Sequence, residues 1–122
     1  MTLRDRLIPP DPRAVGDEPD YRFTLANERT FLAWVRTALA LAAGGLASVG
    51  LLEEFPGAEF LGLGLLALSF VTAASAYRRW ALAEHSMRVH APLPSSRLPM
   101  MMAIGTAAVA LVAAVLLVVD AT

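Results

Sequence analysis

The stretch from Phe31 to Leu52, FLAWVRTALALAAGGLASVGLL, holds a single charge, Arg36, in 22 residues. A helix of that length rises about 33 Å, enough to cross the roughly 30 Å of hydrocarbon in a bilayer. Two further stretches have the same character, Phe60 to Tyr77 and Leu98 to Val119. None alternates with the period of a membrane strand, and where no water reaches the backbone, helix is the way to satisfy its amides. The sequence therefore predicts an all-α integral membrane protein with spans at about 31–52, 60–77 and 98–119, multi-pass in the inner or plasma membrane. Composition agrees: 57% of the 122 residues are hydrophobic, more apolar surface than a water-soluble domain of this size needs.

All ten basic residues are arginine, and their placement is uneven. Arg4, Arg6, Arg13, Arg22 and Arg29 precede the first span, and Arg78, Arg79, Arg88 and Arg97 connect the second to the third. The turn Glu53-Glu54-Phe55-Pro56-Gly57-Ala58-Glu59 between the first two spans has no basic residue. The positive-inside rule then puts the N-terminus in the cytoplasm and the C-terminus outside. Trp34, Tyr77 and Trp80 fall near the cytoplasmic helix ends, where amphipathic rings favour the headgroup layer. Residues 1–19, with Pro9, Pro10, Pro12 and Pro19 among scattered charges, read as a flexible cytoplasmic tail. No apolar run follows Arg4 and Arg6, so the N-terminus is expected to be retained. Residues 20–122 form the expected three-helix membrane domain. Its first helix is expected to start near Asp20 with Thr24 as candidate cap. Its second is expected to extend toward Val89, with Glu84 and Arg88 spaced as an i,i+4 pair.

Arg36 needs an explanation, because arginine at the centre of a membrane helix costs about 2.5 to 3.5 kcal/mol, less near an end. One reading is that its long side chain snorkels to the headgroups. The other starts from spacing: Arg22, Arg29 and Arg36 recur every seven residues and share one helix face. The same stripe continues through Ala33, Ala40, Ala43, Ala47 and Gly50, small residues that allow helices to approach closely. Similar seams read Gly62, Ser69, Ala73, Ala76 on the second span and Ala103, Ala107, Ala110, Ala114 on the third. Three such helices enclose little interior, which predicts a homo-oligomer with the arginine stripe turned to a shared axis.

The run Leu25-Ala26-Asn27-Glu28-Arg29-Thr30-Phe31-Leu32-Ala33-Trp34-Val35-Arg36-Thr37 resembles the signature of the domain of unknown function 202 family, the YidH-like small inner-membrane proteins. The resemblance extends through the three-span pattern over residues 20–120. The family is distantly similar to the membrane domain of the vacuolar transporter chaperone complex of fungi, where such helices ring a path for polyphosphate made by a separate catalytic domain. That resemblance implies basic residues along a polyanion path. Arg29 matches the arginine of the motif, Arg22 the basic residue seven positions earlier, Arg97 an arginine just ahead of the third span, and Glu28 the adjacent acidic position. Arg36 departs from the fungal pattern, which has an uncharged polar residue there, and fits the bacterial form. The motif also contributes Asn27, Thr30, Phe31 and Trp34.

Two functional readings follow. In the first the chain is an oligomeric accessory or scaffold subunit that holds a membrane partner through its small-residue seams, its arginines meeting anionic headgroups. In the second it is a homo-oligomeric anion or polyphosphate pathway in which Arg22, Arg29, Arg36 and Arg97 contact the polyanion, a role suited to bidentate, permanently charged guanidinium. Lipids, further copies of the chain and another membrane protein are the expected partners. Net charge of −1 gives no reason to expect nucleic acid. No nucleophile–base pair, glycine-rich phosphate loop or paired acid set is present, so no enzymatic activity is expected. The absence of cysteine removes thiolate chemistry. His85 and His90 read as solvated surface, and Met100, Met101 and Met102 as lipid-facing bulk, so neither metal nor cofactor is expected.

Overall fold

The computed structural model describes residues 2–122. It is helical throughout, with α1 at Leu3–Leu7, a 3-10 turn at Pro12–Ala14, α2 at Tyr21–Leu51, α3 at Ala58–Arg88 and α4 at Leu98–Ala121. The last three are each long and apolar enough to cross a membrane. The three expected spans are thus found, to within one residue at the end of the first, each in a helix that runs further than the apolar stretch alone.

Local chemistry sets the helix ends. Asp20, just after Pro19, caps α2 by accepting from the Arg22 amide at 2.9 Å; Thr24, the expected cap, is already inside the helix. The α2–α3 turn closes on Gly57, whose φ of +83° favours glycine. At the other end of α3, the Ala91 amide donates to the Ser86 carbonyl at 2.9 Å, a Schellman-type stop. His90, with φ +55°, takes the left-handed position usually held by glycine.

The chain is packed inside out relative to a soluble bundle. Leu39 and Leu46 are 66% and 65% exposed while Ala38 is 4% exposed. The large apolar side chains face outward, where lipid is the solvent, and the small ones face the helix interface. α3 is the hub: α2 packs along its length, and α4 and the 3-10 turn also rest on it. Gly45 and Gly62 mark the close approach of α2 and α3. A Cβ on Gly45 would sit 2.9 Å from the Gly62 carbonyl oxygen, and one on Gly62 2.8 Å from that of Gly45. Nearby, the Ser69 hydroxyl donates across the interface to the Ala38 carbonyl at 2.6 Å. α4 meets α3 through Gly105 against Leu68 and through Met102, whose sulfur lies 2.8 Å from the Thr72 hydroxyl. Met102 therefore faces α3 instead of lipid, whereas Met100 is exposed.

Of residues 1–19, expected as a flexible tail, Met1 lies outside the described residues, α1 is exposed, and Arg6 and the stretch 9–17 touch the C-terminal part of α3. Pro9 and Pro12 are buried, the Asp17 amide donates to the Arg88 carbonyl at 3.1 Å, and Arg78 Nε donates to the Arg6 carbonyl at 3.1 Å. Gly16, at φ +66°, makes this possible, since a side chain there would collide with the Arg88 backbone. Pro9 and Pro12 serve here as compact apolar contacts, while Pro10 is exposed.

Candidate functional site

α2 and α3 are each 31 residues long, about 46 Å, so each outruns the hydrocarbon by several turns. Measured from the acidic turn that joins them, the overhang is about the first three turns of α2 and the last three of α3. This arginine-rich end carries the motif residues. Glu53, Glu54 and Asp120 share a cleft at the opposite end.

In the overhang, α2 is fastened to α3 by the motif. Asn27 Nδ2 donates to the Trp80 carbonyl at 3.1 Å, and the Thr24 hydroxyl donates to Glu84 Oε1 at 3.4 Å. The Phe31 ring lies 6.4 Å from that of Trp80, and Trp34 is half-buried on the same side. Thr30 is satisfied within α2, its hydroxyl donating to the Ala26 carbonyl at 3.1 Å. Asn27, Phe31 and Trp34 are thus packing residues whose spacing of three to four keeps them on one face.

Behind them lies a buried ion pair. Arg88 Nε is 3.5 Å from Glu84 Oε1, with the two side chains 10% and 3% exposed. This i,i+4 pair is covered by the N-terminal segment, where Arg88 Nη1 donates to the Arg13 carbonyl at 3.4 Å and Arg13 lies over the Trp80 ring at 5.7 Å. Glu84 Oε2 has no hydrogen-bond partner among the described residues. Glu28 lines the same cleft, of about 330 Å³.

Arg29 points the other way. Two residues turn a helix by about 200°, so Arg29 lies nearly opposite Asn27 and hence away from α3. Arg22, Arg36, Ala40, Ala43 and Ala47 share its face, and all are exposed. Arg22 lies 3.6 Å from Asp20, whereas Arg29 and Arg36 form no ion pair among the described residues. Within the chain, the seam that packs against α3 is therefore Ala38, Gly45 and Ser48, and the arginine–alanine stripe is the uncovered face opposite it. On α3 Gly62 and Ser69 of the expected seam meet α2 and Ala76 is buried, but Ala73 is exposed, and on α4 Ala103, Ala107, Ala110 and Ala114 are all exposed.

Arg97 is not joined to the α2 arginines. It stands at the start of α4, in a cleft between α3 and α4 that it shares with Arg78 and Arg79. In the sequence Arg78 and Arg79 fix topology, and a double arginine at a span end, with a third ahead of the next span, is the visible signal for this cluster. The i,i+4 spacing of Glu84 and Arg88 shows in the sequence, but their burial depends on the N-terminal segment, which no periodicity reveals.

Residues 22–86 match the family described as domain of unknown function DUF202, which covers more than half of the chain. Over 111 residues the chain is 50% identical to the uncharacterized protein Rv2272 of Mycobacterium tuberculosis, across 88% of this chain and 91% of that protein. Over 83 residues it is 46% identical to the inner membrane protein YidH of Escherichia coli, across 66% of this chain and 72% of YidH. No solved structure matches. The matched region opens at Arg22, closes at Ser86, and so takes in both helices that Asn27, Ser69 and the Gly45–Gly62 approach hold together. That antiparallel pair is the shared domain, and the chain belongs to the DUF202 family of YidH-like multi-pass membrane proteins.

Proposed function

We propose that the chain is a membrane scaffold subunit that assembles with further copies of itself through the arginine–alanine face of α2. The observation that carries this reading is the orientation of that face: Arg29, Arg36, Ala40, Ala43 and Ala47 are exposed on the side of α2 away from α3. Small residues on an uncovered membrane face permit the backbone approach on which helix association in lipid depends. Arg36 lies about 10 Å deeper than Arg29 along the helix axis. A neighbouring chain covering it lowers the cost of keeping a charge in hydrocarbon.

A second reading concerns what meets those charges. Among the described residues no carboxylate pairs with Arg29 or Arg36, and like charges gathered round an axis repel unless water or an anion lies between them. This favours an anion, polyphosphate included, as the species taken up by the assembled face, in keeping with the motif's likeness to the fungal polyphosphate-conducting membrane domain.

The test is the mass of the assembly in lipid nanodiscs, measured for the wild type and for Ala43→Leu/Ala47→Leu. A multiple of the chain mass that falls to a single copy in the variant supports the proposal. A wild type that is a single copy at all lipid ratios removes it.

A further inference from the structure

The cleft shared by Arg78, Arg79 and Arg97 differs from the α2 face in being enclosed on two sides and continuous with an apolar groove. It has a volume of about 400 Å³, is lined by Ser95 and Ser96 as well as the arginines, and contains no acidic residue. Arg78 is held there by donating from Nε to the Arg6 carbonyl, which leaves its terminal amines free to donate elsewhere. Three guanidinium groups in one cleft suit a phosphate, which each can engage with two parallel N–H donors. The N-terminus of α4 adds its positive end to the same place.

Met101 forms part of the wall of this cleft and also of a second one, of about 540 Å³, that continues between α3 and α4 as far as Phe60 and Val112. The second cleft is lined by apolar residues alone, with Gly64 leaving its floor open: a Cβ there would meet nothing within 4 Å. From Met101 to Val112 it follows α4 for about 16 Å, comparable with one leaflet of the hydrocarbon. A soluble phosphate compound would use the arginines and leave this groove unexplained. A phospholipid uses both, since its headgroup and acyl chain are joined at the depth where Met101 lies.

We infer that the α3–α4 cleft is a binding site for one anionic glycerophospholipid, its phosphate on Arg78, Arg79 and Arg97 and one acyl chain in the groove beyond Met101. This site lies across α3 from the proposed assembly face, so the two stand or fall separately.

The test uses the full chain in nanodiscs of equal phosphatidylglycerol and phosphatidylcholine, extracted with mild detergent, with retained lipid identified by native mass spectrometry. The wild type should keep phosphatidylglycerol in preference to phosphatidylcholine. Arg79→Ala/Arg97→Ala should hold it roughly thirtyfold more weakly, the effect of two headgroup-level arginines. Arg79→Lys/Arg97→Lys, which preserves charge, should keep most of it. Gly64→Leu fills the groove while leaving the arginines in place, so it should also shed lipid, with helicity by circular dichroism unchanged. Equal retention of the two lipids overturns the inference. Retention unaffected by Gly64→Leu, together with displacement of the lipid by inorganic pyrophosphate, also overturns it and assigns the arginines to a soluble phosphate compound.

Discussion

Asn27 and Arg29, two residues apart on α2, face opposite ways: Asn27 donates to the Trp80 carbonyl of α3 at 3.1 Å, and Arg29 is exposed on the far side of the helix. One short motif therefore builds the fold and presents a charge in the same turn. Its two halves should separate experimentally. Asn27→Ala should destabilise the α2–α3 pair by about 1 kcal/mol, the worth of one such hydrogen bond. Arg29→Ala should leave stability nearly unchanged. Thermal unfolding in a single detergent, followed by circular dichroism, checks both.

The Gly45–Gly62 approach leaves no room for a side chain, whereas Gly64 has open space. Gly62→Leu should therefore cost about 1 to 3 kcal/mol or more by forcing the helices apart. Gly64→Leu, two residues away, should cost nothing measurable in stability, because its side chain enters the apolar groove. The comparison is made in one unfolding series.

Glu84 and Arg88 are buried together and lie beyond the hydrocarbon, so removing either partner strands the other. Arg88→Met should cost about 3 to 5 kcal/mol, while Glu84→Leu/Arg88→Met should recover most of the loss. A double-mutant cycle by equilibrium unfolding measures the difference. Similar losses for the single and double variants would show that Arg88 acts through its contact with the Arg13 carbonyl and not through Glu84.

His90 occupies a left-handed conformation at the end of α3 and lies 3.8 Å from Asp17, both side chains being well exposed. An exposed pair of this kind contributes little, whereas the left-handed backbone costs a non-glycine residue about 1 kcal/mol. His90→Gly should therefore stabilise the chain by about 0.5 to 1 kcal/mol. A lowered unfolding temperature would mean that the Asp17 contact outweighs the backbone strain.

The spans were legible because lipid imposes a length and an apolarity that FLAWVRTALALAAGGLASVGLL meets unaided. The faces were legible only in part. Periodicity placed Arg22, Arg29, Arg36, Ala40, Ala43 and Ala47 together, and they do share a face, but it cannot say which small-residue stripe meets the neighbouring helix of the same chain. Ala38, Gly45 and Ser48 take that role because Gly62 and Ser69 on α3 complement them, a pairwise fit that a single-helix pattern does not contain. The contacts of the N-terminal segment were illegible for a related reason. Its prolines carry no periodicity, and their partner surface near Arg88 exists only once α3 has formed.

Natural absence of cysteine makes the central claim directly measurable. Single cysteines at Ala43 and Ala47, on the arginine face, are compared under mild oxidation in native membranes with one at Leu111, which is also exposed but on α4. Strong disulfide-linked dimers from the two α2 positions, and none from Leu111, are the predicted result. Cross-linking that is absent from α2, or equal at all three positions, would contradict assembly through the arginine–alanine face.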